Sequence, residues 1–470
     1  MFPLVVDEST FECEPNGFQV PEPDVSPGGQ LTTLVPFPDR TRLERYLFHH
    51  YVTQVAVIMM PYDHPKNPWV TYFPAAALQL RGSGQYDALY SAMLAQAAFN
   101  LGQLGVRRDE SHPSMIESAL SHYGNAMRTL LSVIGRSDVD IATVMTLMMA
   151  EVYSGRSQQW RHHLRGAWDM LVQHDSSGSW PSILASRAIT STRILKTVSD
   201  TSSRVVSAEV PGSDGAPTST GVVATRGSEL VGPATPAMTE FYFTIGVPRD
   251  VLECISRITM FRNKSPQVKS PGEADDLVES VLSCLRRYRQ HGAASHPDWV
   301  LYAVVESGEE LLHLGDETGD RQLLSYGDKN RTSMGAEVRL QMDAWVRAAY
   351  IYLYRSVTDA PPRAVRDHVA GVFSAVSSFL DTYSHGNLSL WPAFMAAVEA
   401  TRDEDVEAAR RWLDWALSFG IGIRAKVKTV VEEVWRRRNE MAAATGMEKD
   451  LIVVDWLRVM QELDCDVLLI

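Results

Sequence analysis

The stretch WRHHLRGAWDML, residues 160–171, poses a choice between chemistry and packing. Its adjacent histidines, His162 and His163, invite a metal or acid–base reading. Periodicity answers otherwise. Trp160, Leu164, Ala167, Trp168 and Leu171 recur at steps of three and four, which traces one face of a helix running from Gln158 to His174. Neighbours on a helix diverge by about 100°, so His162 and His163 do not readily share one ion, and helical histidine ligands prefer a spacing of four. The stretch predicts a packing helix, with Gly166 and Ala167 allowing close approach of a neighbour.

The same period spreads outward. In DRTRLERYLFHHYVTQVAVIMM (39–60), Leu43, Tyr46, Leu47, Tyr51, Val55 and Ile58 keep the three- and four-residue steps. Further apolar-periodic segments lie near 86–104, 114–135, 138–153, 158–174 and 181–198. They resume near 248–264, 273–291, 297–314, 334–357, 364–383, 389–400, 404–419, 423–443 and 451–462. IYLY (351–354) is β-prone by composition, but Val338, Met342, Trp345, Ala349 and Tyr352 place it on a helical stripe that reads as core. The fold class is all-α, a large multi-helix bundle or array of about fifteen helices.

Two stretches lack a period. Residues 1–40 are rich in proline and acid and read as an irregular arm; residues 198–238 are dominated by Ser, Thr, Gly and Pro and read as a flexible insert. The insert divides an N-terminal helical half (41–197) from a C-terminal one (239–470).

Bulk properties exclude several classes. Of 470 residues, 45% are hydrophobic, enough for a sizeable core. Cys13, Cys254, Cys284 and Cys465 are scattered and form no CxxC, which points to a reducing compartment and away from thiolate zinc sites. The N-terminus does not read as a signal peptide, and no apolar run approaches the ~20 residues needed to span a bilayer. The expectation is a soluble intracellular protein without membrane contact. A net charge of −13 disfavours DNA binding, which leans on Lys and Arg. The densest basic run, WRRRNE (435–440), follows VVEEV and reads as the solvated end of a helix. No GxSxG, Walker A loop or strand-linked GxGxxG is present; GSGQYD (82–87) reads as a turn and helix start.

The segment MMAEVYSGRSQQWRHHLRGAWDML (148–171) resembles the helix pair of the fungal-specific transcription factor domain, the helical region downstream of the zinc cluster in fungal regulators. HHYVTQVAVIMMPYDHPKNPWVTYFPAAAL (49–78), with Asn67 and Pro68 at its turn, resembles the opening of that domain. LYSAMLAQAAFNL (89–101), SHYGNAMRTLL (121–131), GVPRDVLECISRI (246–258), AAYIYLYRSV (348–357), LWPAFMAAVEA (390–400), EVWRRRN (433–439) and DWLRVM (455–460) continue the series. The resemblance implies the fold and does not by itself imply function. The family's DNA-reading module needs six cysteines in a basic setting, whereas one cysteine precedes residue 250 here. Direct DNA binding by this chain is therefore not expected.

A helical scaffold without that module is also similar to the atypical humulene synthases of fungal tropolone–sesquiterpenoid pathways. Those enzymes hold a diphosphate with a lysine and Mg²⁺, and an apolar residue one turn earlier shapes the product. SRITMFRNKSPQ (256–267) offers Met260 and Lys264 at that spacing. The resemblance thus implies that Lys264 binds the diphosphate of farnesyl diphosphate and that Met260 shapes its folding. Ionising an allylic diphosphate needs cations on the leaving group, and the carbocation must be shielded from water. EADDLVES (273–280) supplies Asp275, Asp276 and Glu279 as candidate Mg²⁺ ligands, or simply as acids favoured in a first helical turn. Glu306 and Glu310 repeat the four-residue spacing.

Two readings of function follow. The first is a Mg²⁺-dependent sesquiterpene cyclase, cytoplasmic, converting farnesyl diphosphate to humulene in a fungal meroterpenoid pathway. The alternative is a nuclear, transcription-factor-like regulator lacking its own zinc cluster and acting through partner proteins or a small ligand. A scaffold that buries a helical surface on another subunit is a third reading, and a homo-oligomer stays open under any of them.

Overall fold

The computed structural model describes residues 41–59, 67, 69–79, 84–107, 113–133, 138–156, 159–175, 194–203, 247, 249–265, 269–291, 328–382 and 388–469. Every regular element among them is helical, as the periodicity predicts. The N-terminal arm, most of the insert and the pair Glu306 and Glu310 lie outside the described residues.

α1 (Arg42–His50) begins at a capping box: the Glu44 amide donates to Thr41 Oγ1 at 3.2 Å and the Thr41 amide to Glu44 Oε2 at 2.8 Å. The buried Asn67 organises the turn before the next helix. Its Nδ2 donates to the Ala56 carbonyl at 3.0 Å while its Oδ1 accepts from the Trp69 amide at 2.9 Å. Next come α2 (Tyr72–Gln79), α3 (Gly84–Arg107), α4 (Pro113–Val133), α5 (Asp138–Ser154) and α6 (Trp160–Asp175). α3 packs on α4 and α5, and α6 on α5. From Val139 to Tyr153, α5 is buried almost all round. Thr143 and Thr146 are tolerated there because each hydroxyl donates to the carbonyl four residues earlier, Val139 and Ala142, at 2.8 Å.

In α6, Trp160, Leu164 and Ala167 face the core, and the Arg161 guanidinium lies 4.3 Å from the Trp160 ring centroid. His163 meets the Tyr123 hydroxyl at 2.6 Å, whereas His162 is exposed. The two histidines diverge as the helical geometry requires. Gly166 departs from expectation: no neighbour lies within 4 Å of a Cβ built there, so it mediates no close approach.

α7 occupies 194–201 and runs past Val198, where the composition suggested the insert. Local Ser and Thr content misleads here because tertiary partners absorb the hydroxyls. Thr201 Oγ1 accepts from the Trp391 indole at 3.0 Å, and Ser202 Oγ donates to the Val467 carbonyl at 3.2 Å.

The C-terminal half comprises α8 (Arg249–Asn263), α9 (Pro271–His291), α10 (Asp328–Val357), α11 (Pro362–Thr382), α12 (Leu390–Glu399), α13 (Asp403–Leu417), α14 (Ile423–Thr445) and α15 (Trp456–Glu462). α10 packs on α8, α9, α11 and α12. Trp345 of α10 stacks on Trp391 of α12 with centroids 5.0 Å apart, so the aromatic stripe is core. α15 is shorter than the pattern over 451–462 suggests. Asp455 caps it, accepting from the Leu457 and Arg458 amides at 3.0 and 3.3 Å.

The two halves touch closely. Asn100 of α3 donates to the Phe419 and Gly420 carbonyls at 2.7 and 3.0 Å and accepts from His50 Nε2 at 2.8 Å. Gly155, at φ 66°, lies against Gly422, whose amide donates to the Tyr153 carbonyl at 3.0 Å. A Cβ on Gly422 would stand 2.6 Å from that carbonyl oxygen.

Gly422→Ala is expected to destabilise the chain by about 1–3 kcal/mol, because the clash is with backbone. Gly166→Ala should stabilise it by about 0.5–1 kcal/mol, since the site is helical and open. Urea unfolding of both variants checks the contrast. A second expectation concerns pH. Burial pushes the His50 imidazole down to about 4, only partly opposed by the Asn100 hydrogen bond. A depressed folded value means the neutral ring's stability is intact above the unfolded value of 6.5 and is lost as pH falls through 6.5 toward 4. Between pH 7 and 5 this removes about 2 kcal/mol. Stability of His50→Gln measured over the same range should fall less steeply than wild type.

Candidate functional site

α8 and α9 form a helical hairpin, and cross-contacts run down it in antiparallel order. Lys264 pairs with Glu273 beside the turn. Arg257 Nη1 donates to Ser280 Oγ at 2.9 Å. Cys284 Sγ donates to Asp250 Oδ2 at 3.5 Å, and Asp250 also accepts from the Tyr288 hydroxyl at the open end. The inner face holds Val251, Ile255, Ile258, Leu277, Val281 and Leu285. Thr259 also points inward. Its hydroxyl donates to the Ile255 carbonyl at 2.8 Å, which leaves Tyr352 to donate to Thr259 Oγ1 at 2.8 Å.

The residues singled out from sequence lie on the other side of this hairpin. Met260 is 42% exposed. Lys264 ends α8 with its ammonium group engaged by Glu273, and that hydrogen bond draws the Glu273 carboxyl below the usual carboxylate range. Asp275, Asp276 and Glu279 are all exposed in the first turns of α9, where the helix dipole favours acids. Among the described residues no three His, Cys, Asp or Glu side chains are grouped to hold a metal ion. Asp275, Asp276 and Glu279 do not converge into such a group.

A denser polar site involves the C-terminal end of α10. Glu399 closes α12 and is 1% exposed. Its Oε1 accepts from Arg355 Nε of α10 at 2.8 Å, and its Oε2 lies 3.4 Å from Arg438 Nη2 of α14. Arg438, 2% exposed, also donates to the Val398 carbonyl at 2.8 Å, the Ile452 carbonyl at 3.2 Å and the Ala400 carbonyl at 3.4 Å. Burial pushes the Arg438 guanidinium below its ordinary range, Glu399 pulls it back, and Arg355 opposes. Arg438 also borders a cleft of about 370 Å³ between α13 and α14. Trp435 and Arg438 line it together with Asp403, Glu407, Arg410 and Lys449. The Arg410 guanidinium sits 5.7 Å from the Trp435 centroid. Both signs of charge surround the cleft, so it is suited to polar contact and offers no concentrated positive field for a diphosphate.

Sequence reading placed the whole run WRRRNE in solvent. That holds for Arg436 and Arg437, which pair with Glu433, and fails for Trp435 and Arg438, which are buried. A signal was present. Val427, Val431, Val434 and Arg438 follow steps of four, three and four, so the arginine occupies an apolar position of α14. Glu399 likewise ends a segment otherwise wholly apolar, LWPAFMAAVE.

Removing one member of the node leaves buried charge unbalanced, so Glu399→Ala is expected to cost about 3–5 kcal/mol. Chemical denaturation of that variant against wild type measures it, and a loss under 1 kcal/mol contradicts a structural node.

Residues 46–470 match the family described as the fungal specific transcription factor domain. No curated protein and no solved structure matches the chain. The matched span takes in all but the first few residues of α1, every later helix, the α8–α9 hairpin and the Glu399 node, in the element order the sequence resemblance implied. The chain therefore belongs to the fungal-specific transcription factor domain family.

Proposed function

We propose that this chain is a regulatory domain of transcription-factor type, acting in the nucleus through contacts with other proteins. The family match over residues 46–470 carries this reading. The geometry supports it in two ways. The buried charges are committed to holding helices together, as a contact scaffold requires, and the cleft above Arg438 is polar and of mixed sign. Among the described residues no helix is long and apolar enough to cross a membrane.

The cyclase reading finds no such support. It asks Lys264 to neutralise a diphosphate, yet that ammonium is already balanced by Glu273. It asks Met260 to line a dry cavity, yet the side chain is 42% exposed. It asks for a metal cluster, which the carboxylates of α9 do not form.

The test tethers the full chain to an unrelated DNA-binding module in a fungal cell, beside a reporter gene. Reporter output should shift several-fold from the module alone, and Glu399→Ala should return it to that baseline at matched protein level. In parallel, purified chain with farnesyl diphosphate and Mg²⁺ should give no volatile product above a boiled control. A sesquiterpene product that disappears in Lys264→Ala would overturn the proposal in favour of the enzyme.

A further inference from the structure

The cleft between α13 and α14 brings together charges that do not neutralise one another. Asp403 and Glu407 stand one turn apart on α13, so they share a face of that helix. Arg438 comes from α14, and Lys449 from the short turn of helix that follows it. Opposite charges gathered at one place on a surface ordinarily pair. Here neither Asp403 nor Lys449 has an ion-pair partner among the described residues, and both are exposed. Glu407 reaches Arg410 at 3.9 Å, and both side chains are largely exposed, so water screens that pair.

Arg438 adds a second observation, independent of the exposed charges. Its Nε donates to the Ile452 carbonyl, and its Nη2 serves the Val398 carbonyl and Glu399. Its Nη1 has the Ala400 carbonyl alone, at 3.4 Å. A guanidinium carries two hydrogens on Nη1, so one of them lacks an acceptor among the described residues, although the side chain is almost wholly buried. Ala400 and Arg438 both line the cleft, which is therefore where an acceptor from outside the chain can reach that hydrogen. The charge balance asks for the same thing. Two buried guanidiniums, Arg355 and Arg438, share one buried carboxylate, Glu399, and the other acid near Arg355, Asp359, is exposed and screened.

We propose that this cleft binds a small zwitterion of the α-amino acid type. The ligand carboxylate takes the Arg438 Nη1 hydrogen and the Lys449 ammonium, and the ligand ammonium goes to Asp403 and Glu407. A polyanion is disfavoured by those two acids, and a simple cation by Arg410, Arg438 and Lys449. A molecule with both charges meets a partner for each. Its side chain is apolar, because the rest of the lining includes Trp435 and Val406. Trp435 is a preset surface, fixed by its indole bond to the Ala397 carbonyl at 2.8 Å. The volume of about 370 Å³ lies at the small end of the range for small-molecule pockets, which suits a ligand of this size. Binding ties α13 to α14 beside Glu399. The site goes beyond the proposed regulatory role and does not depend on it.

The experiment titrates the full-length chain with L-phenylalanine and L-leucine by isothermal calorimetry. Saturable binding at one site is expected for at least one of them. Phenethylamine and 3-phenylpropionate, each lacking one charge, should bind at least about tenfold more weakly than phenylalanine. Lys449→Gln and Asp403→Asn change exposed side chains outside the core. Each should weaken binding about threefold or more while leaving the thermal midpoint of the ligand-free chain in place. Where one variant fails to fold, the other decides together with the analogues. Absence of saturable heat up to about 10 mM of either amino acid overturns the proposal. So does equal binding of the singly charged analogues, or unchanged affinity in both variants, which places the ligand elsewhere.

Discussion

The C-terminal half depends on the burial of one carboxylate, Glu399, between two arginines. Every residue of α12 is buried, so its last carbonyls have no water to bond. α14 supplies the donors instead. The Trp435 indole donates to the Ala397 carbonyl at 2.8 Å, and Arg438 reaches the carbonyls of Val398 and Ala400. A guanidinium suits this role because its planar fork offers five donors in fixed directions. Its charge must then be balanced in a dry setting, where desolvation costs several kcal/mol per ion. Glu399 balances it and recruits Arg355 from α10. One buried helix end thereby dictates an acid and two bases on three different helices.

A second constraint joins the halves. Asn100 satisfies two loop carbonyls after α13, and Gly155 with Gly422 lets α5 meet the start of α14 backbone to backbone. At the chain end, Arg161 holds Asp466 with a bidentate pair, while Ser202 donates to Val467. Residues on both sides of the 204–246 stretch therefore share one continuous core. A Ser-, Gly- and Pro-rich stretch shows where composition changes. Whether the flanking segments fold apart is set by apolar faces and polar partners elsewhere in the chain.

What was legible in the sequence follows from the same physics. Periodicity reports which side of a helix avoids water, so the helices, the aromatic core of α10 and the divergence of His162 from His163 were readable. The Thr41–Glu44 box was local as well. Long-range pairing was not. Thr201 looks like loop until the Trp391 indole is known to reach it, and Asp455 looks like mid-helix until its carboxylate is seen capping α15. Asp250 and Cys284 are far apart in sequence and in contact in space because hairpin register depends on where the turn falls. For the candidate site, residue types and spacing were visible at Met260, Lys264, Asp275, Asp276 and Glu279, but exposure was not. A four-residue step puts two side chains on one face without saying whether that face looks inward.

That distinction separates a scaffold from a catalyst. A cation serves an ionising leaving group when it is held in a low-dielectric space without a partner of its own. Lys264 and Glu273 are both about one-third exposed, so water screens their pairing and each neutralises the other. Arg355 and Arg438 do have the dry setting, yet a carboxylate and a set of main-chain carbonyls claim them. Arg424, also buried, donates to the Ala416 carbonyl at 3.0 Å. In each buried case the charge is tied to a neighbouring element, and in the exposed case it is tied to solvent and an acid. A domain built this way uses arginine as a connector between helices.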